Sequence, residues 1–198
     1  MEQKIDLREV KSFFDRLADE WDSHGGPEEQ ATEQLMDLCG IEKDSVVLDV
    51  ACGTGALIPF YLKRKVKRVD AVDLSPEMIR ICREKFSDPA VFCTCGDIME
   101  FDAPADYDVI MIYNAFPHFG EYEALIGKLT SMLKKGGRLC IAHSMSRDAL
   151  DRHHRNVRPD VSRKLISDQE FRTLLCGSLR IRDFISDGSC FRVVAVKE

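Results

Sequence analysis

Three aspartates stand at or near the ends of three apolar, β-branched runs: Asp49 in VVLDVACGTG, Asp73 in RVDAVD and Asp97 in CTCGDI. The first run leads into a loop of small residues, Ala51-Cys52-Gly53-Thr54-Gly55. Such a loop turns sharply and lets the backbone approach a ligand, and Gly55 opens onto a helix N-terminus with free N–H groups. A dinucleotide pyrophosphate would call for G-x-G-x-x-G, yet counting from Gly53 puts Ile58 where the third glycine or an alanine belongs. Asp49 is also badly placed beside a pyrophosphate and suits a ligand that is positively charged at this end. Asp73 can accept both hydroxyls of a ribose. Asp97, after Gly96 and before Ile98, can accept from an adenine amino group, with Met78 and Ile98 as apolar faces for the ring. One acid in a loop is an ordinary cap; three closing successive strands point to a site.

Those residues need a frame that brings strand ends together. Val10, Phe13, Phe14, Leu17, Ala18 and Trp21 make one apolar stripe at helical spacing, broken by Ser23–Pro27. A second helix is expected over 28–39, ended by Gly40. Strands over 45–50, 68–73, 90–95, 107–113 and 138–143 alternate with helices over 56–64, 75–86 and 121–134. Ser75-Pro76-Glu77 is a strong helix start: a capping hydroxyl, a proline at the first position and an acid in the first turn. The alternation predicts parallel βαβ units in a doubly wound α/β sheet with right-handed crossovers. The ending differs. Runs over 179–186 and 190–197 flank Asp187-Gly188, which predicts a tight hairpin and an antiparallel last strand. Ligands of such sheets bind beyond the carboxyl ends of the strands, where all three acids lie.

The chain has 198 residues, 44% hydrophobic and 31% charged, as expected of one globular domain over 1–198. Its 28 Lys and Arg against 34 Asp and Glu argue against a nucleic-acid binder, which would carry a basic face. No apolar run approaches the roughly 18 residues of a membrane span. No secretory signal is visible either, so a cytoplasmic protein is expected. Eight cysteines are scattered without a C-x-x-C pair, so reduced, mostly buried thiols are expected, Cys93 and Cys95 among them.

The motifs VLDVACGTG, AVDLSPEM, GDI and LKKGGRLCIAHS resemble the successive motifs of class I S-adenosylmethionine-dependent methyltransferases. The likeness is strongest to the small methyltransferase-domain proteins of the ubiquinone/menaquinone-biosynthesis-like group, down to the helix FFDRLADEWD. It covers about residues 10–145. The resemblance implies a Rossmann-like, seven-stranded sheet, mostly parallel with an antiparallel C-terminal hairpin strand. It implies S-adenosylmethionine as cofactor and S-adenosylhomocysteine as product. It places Asp49, Ala51, Cys52, Gly53, Thr54 and Gly55 near the methionine moiety. Asp73 then falls at the ribose and Asp97 and Ile98 at the adenine, with Leu74, Met78 and Gly96 among the cofactor-binding residues. Ala51 departs from the glycine common there. Strand four ends Tyr113-Asn114-Ala115-Phe116, not Asn/Asp-Pro-Pro-Tyr, which speaks against nucleobase or glutamine amide methylation.

On that reading Asn114 touches the cofactor, and Tyr113 and Phe116 line the transfer site. His118 or His143 serves as general base or orienting donor. A metal site from His118, His143 and His153 or His154 is a rival, though no tight H-x₃-H spacing supports it. The segment 144–166 carries six basic residues against three aspartates and is expected to be a substrate lid. There Arg147 and His154 would meet a small-molecule, anionic acceptor. Residues 1–40 form a second, helical lid with Trp21 as a gate. Two rival functions keep the same loop: a non-catalytic S-adenosylmethionine-binding partner protein, and a nucleotide-dependent oxidoreductase, which Ile58 disfavours.

Overall fold

The apolar runs pair as the alternation requires. In the computed structural model, which describes residues 4–103, 106–154 and 158–198, β1 (Val46–Val50), β2 (Arg68–Asp73), β3 (Val91–Cys95), β4 (Tyr107–Tyr113) and β5 (Leu133–His143) run parallel. β6 (Arg180–Ser186) and β7 (Phe191–Val196) close one sheet of seven strands in the order β3-β2-β1-β4-β5-β7-β6, with β7 antiparallel to both neighbours. The order reverses between β1 and β4, which makes their carboxyl ends the crevice of the fold.

Every residue of β1 is buried because helices cover both faces of the sheet. Alternate side chains divide between two cores. Val47, Val69, Val109 and Met111 face α2 (Glu29–Leu38), α3 (Ile58–Lys63) and α4 (Pro76–Lys85). Leu48, Val50, Ile110 and Ile112 face α5 (Tyr122–Met132) and α7 (Asp168–Leu175). A third, small cluster joins Val10 of α1 (Leu7–Leu17) to Ile5 and Val161, above the strand ends.

Four local expectations change. The first helix is α only to Leu17, and Ala18–His24 tightens into a 3₁₀ turn that ends at Gly25, whose φ of 93° suits glycine. α5 stops at Met132, and Lys135-Gly136-Gly137 belongs to β5 as an irregularity; a Cβ on Gly137 would lie 2.9 Å from two backbone carbonyl oxygens. The hairpin loop spans Asp187–Cys190, because the Asp187 carboxylate accepts from the N–H groups of Ser189 and Cys190 and holds a longer turn. Finally, α6 (Arg147–His154) and α7 lie in the region after β5, and α7 starts with a capping box from Ser167 and Glu170. The thiols are all free; Cys93 packs 3.2 Å from Cys82, while Cys95 is exposed rather than buried.

Candidate active site

β1 delivers the chain into a loop held almost wholly by backbone. Ala51, Gly53 and Gly55 all have positive φ (55°, 56° and 88°), and the Cys52 N–H donates to Val72 O at 3.1 Å, stitching the loop to β2. A Cβ on Gly55 would come within 2.6 Å of Phe86 and 2.8 Å of Ile58, so only glycine fits without displacement. Ala51 holds its left-handed turn at a cost of about 1 kcal/mol that a glycine would not bear.

Asp73 ends β2 between two elements. Its Oδ2 accepts from the Gly53 N–H and its Oδ1 from the Ser75 N–H, both at 2.8 Å, so one carboxylate ties the loop to the start of α4. Burial pushes its pKa up to about 6 against those two bonds. Asp49 is 2% exposed, and its Oδ2 has no hydrogen-bond partner among the described residues. Burial pushes it up to about 8; the Tyr61 hydroxyl opposes the rise and Asp73 adds to it. A buried carboxylate of this kind costs the fold free energy unless a cation or donor meets it. Asp97 is half-buried and accepts from the Met99 N–H at 2.9 Å, and the Gly96 N–H donates to Asp73 O. Met78 and Ile98 are buried and Leu74 packs toward Val10 and Val161, so these side chains back the site more than they line it.

The residues expected on the acceptor side separate. Asn114, with φ of 56°, clips β4 to β5: its Oδ1 accepts from the Ser144 N–H at 2.8 Å. Tyr113 is half-buried beside it, and burial raises its pKa against hydroxyl contacts to Ser144, Asn114 and Thr32. His118, on the 3₁₀ turn Phe116–His118, has Nδ1 2.9 Å from Val161 O and meets the Phe14 ring edge-on at 4.9 Å. A carbonyl only accepts, so Nδ1 carries the proton and Nε2 is the basic nitrogen.

Three expected contacts take other places. His143 is 2% exposed, inside the end of β5 with Phe191 6.1 Å away, so it does not share a surface with His118. Phe116 is core: it stacks on Tyr122 at 4.2 Å and packs on Phe171. Arg147 spends its guanidinium internally, donating to Ser186 Oγ and the carbonyls of Leu165 and Ile166 and pairing with Asp168. The side chains of His153 and His154 lie outside the described residues. Among the described residues, no three His, Cys, Asp or Glu groups are close enough to hold a metal ion.

Trp21 does reach the loop. It is 36% exposed, and its Nε1 lies 3.7 Å from where a Cβ on Gly53 would sit. The two expected lids are joined: the Asp6 N–H donates to Asp160 O at 2.8 Å, Arg158 pairs with Glu9 at 3.0 Å, and Val161 packs on Ile5 and Val10. Sequence reading missed the acids Asp15, Asp19 and Asp22. Their i, i+4, i+7 spacing beside the apolar stripe was the available signal for a second packed face.

Comparison with known proteins places the chain in a family and its fold among solved structures. The methyltransferase-domain model matches residues 47–137, from β1 through the start of β5. A malonyl-[acyl-carrier protein] O-methyltransferase of Acetivibrio thermocellus is 30% identical over 172 residues, covering 84% of this chain and 59% of that protein. An uncharacterized methyltransferase of Geobacillus sp. (strain WCH70) is 31% identical over 151 residues, covering 71% of this chain and 70% of that one. The chain belongs to the methyltransferase-domain family. The chain spans about half the length of the malonyl-[acyl-carrier protein] relatives it matches. The fold is shared with magnesium protoporphyrin IX methyltransferase of Synechocystis PCC 6803, solved with bound S-adenosylhomocysteine, at a TM-score of 0.75, 16% identity, and coverage of 95% or more of each chain (98% and 100%).

The residues of this chain fit the family's cofactor, S-adenosylmethionine. Asp49 offers a buried, unpartnered carboxylate oxygen to a ligand that carries positive charge. Each Asp73 oxygen has one backbone donor and keeps a lone pair for a ribose hydroxyl. Among the described residues, no helix is long and apolar enough to cross a membrane.

Proposed function

We propose that this methyltransferase transfers a methyl group from S-adenosylmethionine to a small-molecule acceptor, in the cytosol, where its eight free thiols stay reduced. The observation that carries the reading is the convergence of Asp49 and Asp73 on one glycine-bearing loop, with the buried Asp49 Oδ2 left without a hydrogen-bond partner among the described residues. When bound, the cofactor supplies a methyl already activated on a cationic sulfonium. Asp49 meets the positive charge of the methionine end, Asp73 reads the ribose, and Asp97 accepts from the adenine. Residues 1–40 and 144–166 together cover the crevice, exclude water and align the acceptor, an effect that can be worth about 7–11 kcal/mol. His118 Nε2 takes a proton from an acceptor that must lose one, a contribution of about 10²–10⁴-fold. Asn114, Tyr113 and Trp21 border the acceptor.

A carboxylate is the first acceptor class to test, because the named relatives act on malonyl-[acyl-carrier protein]. Arg147 is committed to Asp168, so it does not recruit that anion. The test is S-adenosylhomocysteine release by tag-free protein given small acids, thiols, phenols and quinols, or amines, with and without a chelator. Turnover with one class, unchanged by the chelator, is expected. Chelator-sensitive turnover would bring back a histidine metal site. Silence across all classes, from protein that still binds S-adenosylhomocysteine, would contradict transfer to these acceptors and point to an acceptor outside them or to a non-catalytic binding protein.

A further inference from the structure

We infer that Asp22 is a positioning residue that closes the N-terminal segment over the cofactor loop by joining Thr54 of that loop to Lys85 of α4. The inference rests on the loop being the cofactor site. Thr54 Oγ1 donates to Asp22 Oδ1 at 2.7 Å, and Lys85 Nζ donates to Asp22 Oδ2 at 2.8 Å and lies 3.4 Å from Thr54 Oγ1. Three groups from three separate parts of the chain thus close a triangle. Thr54 is left only 1% exposed beneath it. Burial alone would raise the Asp22 carboxyl, and the bonds from Lys85 and Thr54 outweigh it and hold it below the ordinary range.

Two further acids seat the same segment on α4. Asp15 Oδ1 accepts from Ser75 Oγ at 2.6 Å, the residue that caps α4 and whose N–H binds Asp73. Asp19 pairs with Arg80 at 2.7 Å. Of the three acids only Asp22 touches the loop itself, and the neighbouring Trp21 stands over Gly53. A ligand leaving Gly53 therefore requires this segment to lift, and the lifting breaks the Asp22 bonds. The Lys85–Asp22 pair is partly exposed, so salt weakens it and should speed release.

Trp21 is the single tryptophan of the chain, so its fluorescence reports this segment directly. Bound S-adenosylhomocysteine is displaced in a stopped-flow cell at low and high salt, from wild type, Asp22→Asn, Asp22→Glu and Lys85→Met. Asp22→Asn and Lys85→Met are expected to speed release about five-fold at low salt, the size of a half-exposed charged hydrogen bond. Both should lose the salt dependence seen in wild type, and Asp22→Glu should stay within about two-fold of wild type. In the free protein, acrylamide should quench Trp21 more in Asp22→Asn than in wild type, with unchanged melting temperature. Equal release rates in wild type and both neutral variants would overturn the inference while leaving the cofactor site intact. A wild-type chain that binds no S-adenosylhomocysteine would overturn the reading of the site, and the inference with it.

Discussion

The crevice has two sides built by opposite means. The side proposed to hold the cofactor is a turn after β1 pinned by backbone: φ angles that favour glycine, a strand-to-loop hydrogen bond and two N–H groups converging on Asp73. The covering side is a meeting of distant segments through side chains, with Asp22 on Thr54, Asp15 on Ser75 and Arg158 on Glu9. Backbone-built sites demand particular residues at fixed spacing, whereas a side-chain-built roof can be remade with other pairs. A family can therefore keep the first side and exchange the second to suit a different acceptor.

Substitutions that disturb the backbone-built side should cost most. Asp73→Ala removes the shared acceptor of Gly53 and Ser75 and, on the proposed reading, the ribose contact. Affinity for S-adenosylhomocysteine is expected to fall by about 100-fold, measured by calorimetry; unchanged affinity would refute the ribose assignment. Gly55→Ala puts a Cβ against Phe86 and Ile58 at a φ of 88° and should destabilise the fold by about 2 kcal/mol in urea melts.

The acids also set a pH dependence of known sign. In the free protein burial pushes Asp49 up to about 8 and Asp73 up to about 6; a cationic ligand favours the ionised form of Asp49, and hydroxyl donors favour that of Asp73. Cofactor binding should therefore release protons and tighten, by about ten-fold, as pH rises from 6 to 8. Asp49→Asn should flatten the upper part of that rise. Stability of the free protein carries the opposite sign. A folded-state carboxyl pKa raised to about 8 favours the folded state at low pH, and that contribution is lost as pH climbs through 8.

On the covering side, Arg147→Met should cost about 1–2 kcal/mol by orphaning the Leu165 and Ile166 carbonyls, and leave S-adenosylhomocysteine affinity unchanged. A matching loss of affinity would erase the distinction between the two sides. The smallest effect has the reverse sign: Ala51→Gly relieves a left-handed alanine and should gain about 0.5–1 kcal/mol.

The same division decides what the sequence made legible. Seven strands, their order of succession and the antiparallel ending follow from apolar periodicity, Ser75-Pro76 and the acids at strand ends, because these are local signals. Asp49, Asp73 and the Ala51–Gly55 loop come from the same local reading. The roof does not, since which acid meets which cation depends on tertiary placement. Arg147 read as an anion binder because an arginine looks the same whether its partner is a substrate or Asp168. Phe116 and His143 read as site residues because one follows a strand end and the other closes a strand, and only packing shows that their rings turn inward. α7 carried a readable start in Ser167–Glu170, a capping box whose apolar stripe is too short to stand out.

The central claim is that the β1 loop with Asp49 and Asp73 holds S-adenosylmethionine and not a dinucleotide. It is tested most directly by calorimetric titration of the wild-type chain and Asp73→Ala with S-adenosylhomocysteine and, separately, with NAD(H). The expected result is saturable binding of S-adenosylhomocysteine to wild type, nearly lost in Asp73→Ala, and no binding of NAD(H) to either. Binding of NAD(H) by a wild-type chain that ignores S-adenosylhomocysteine would contradict it.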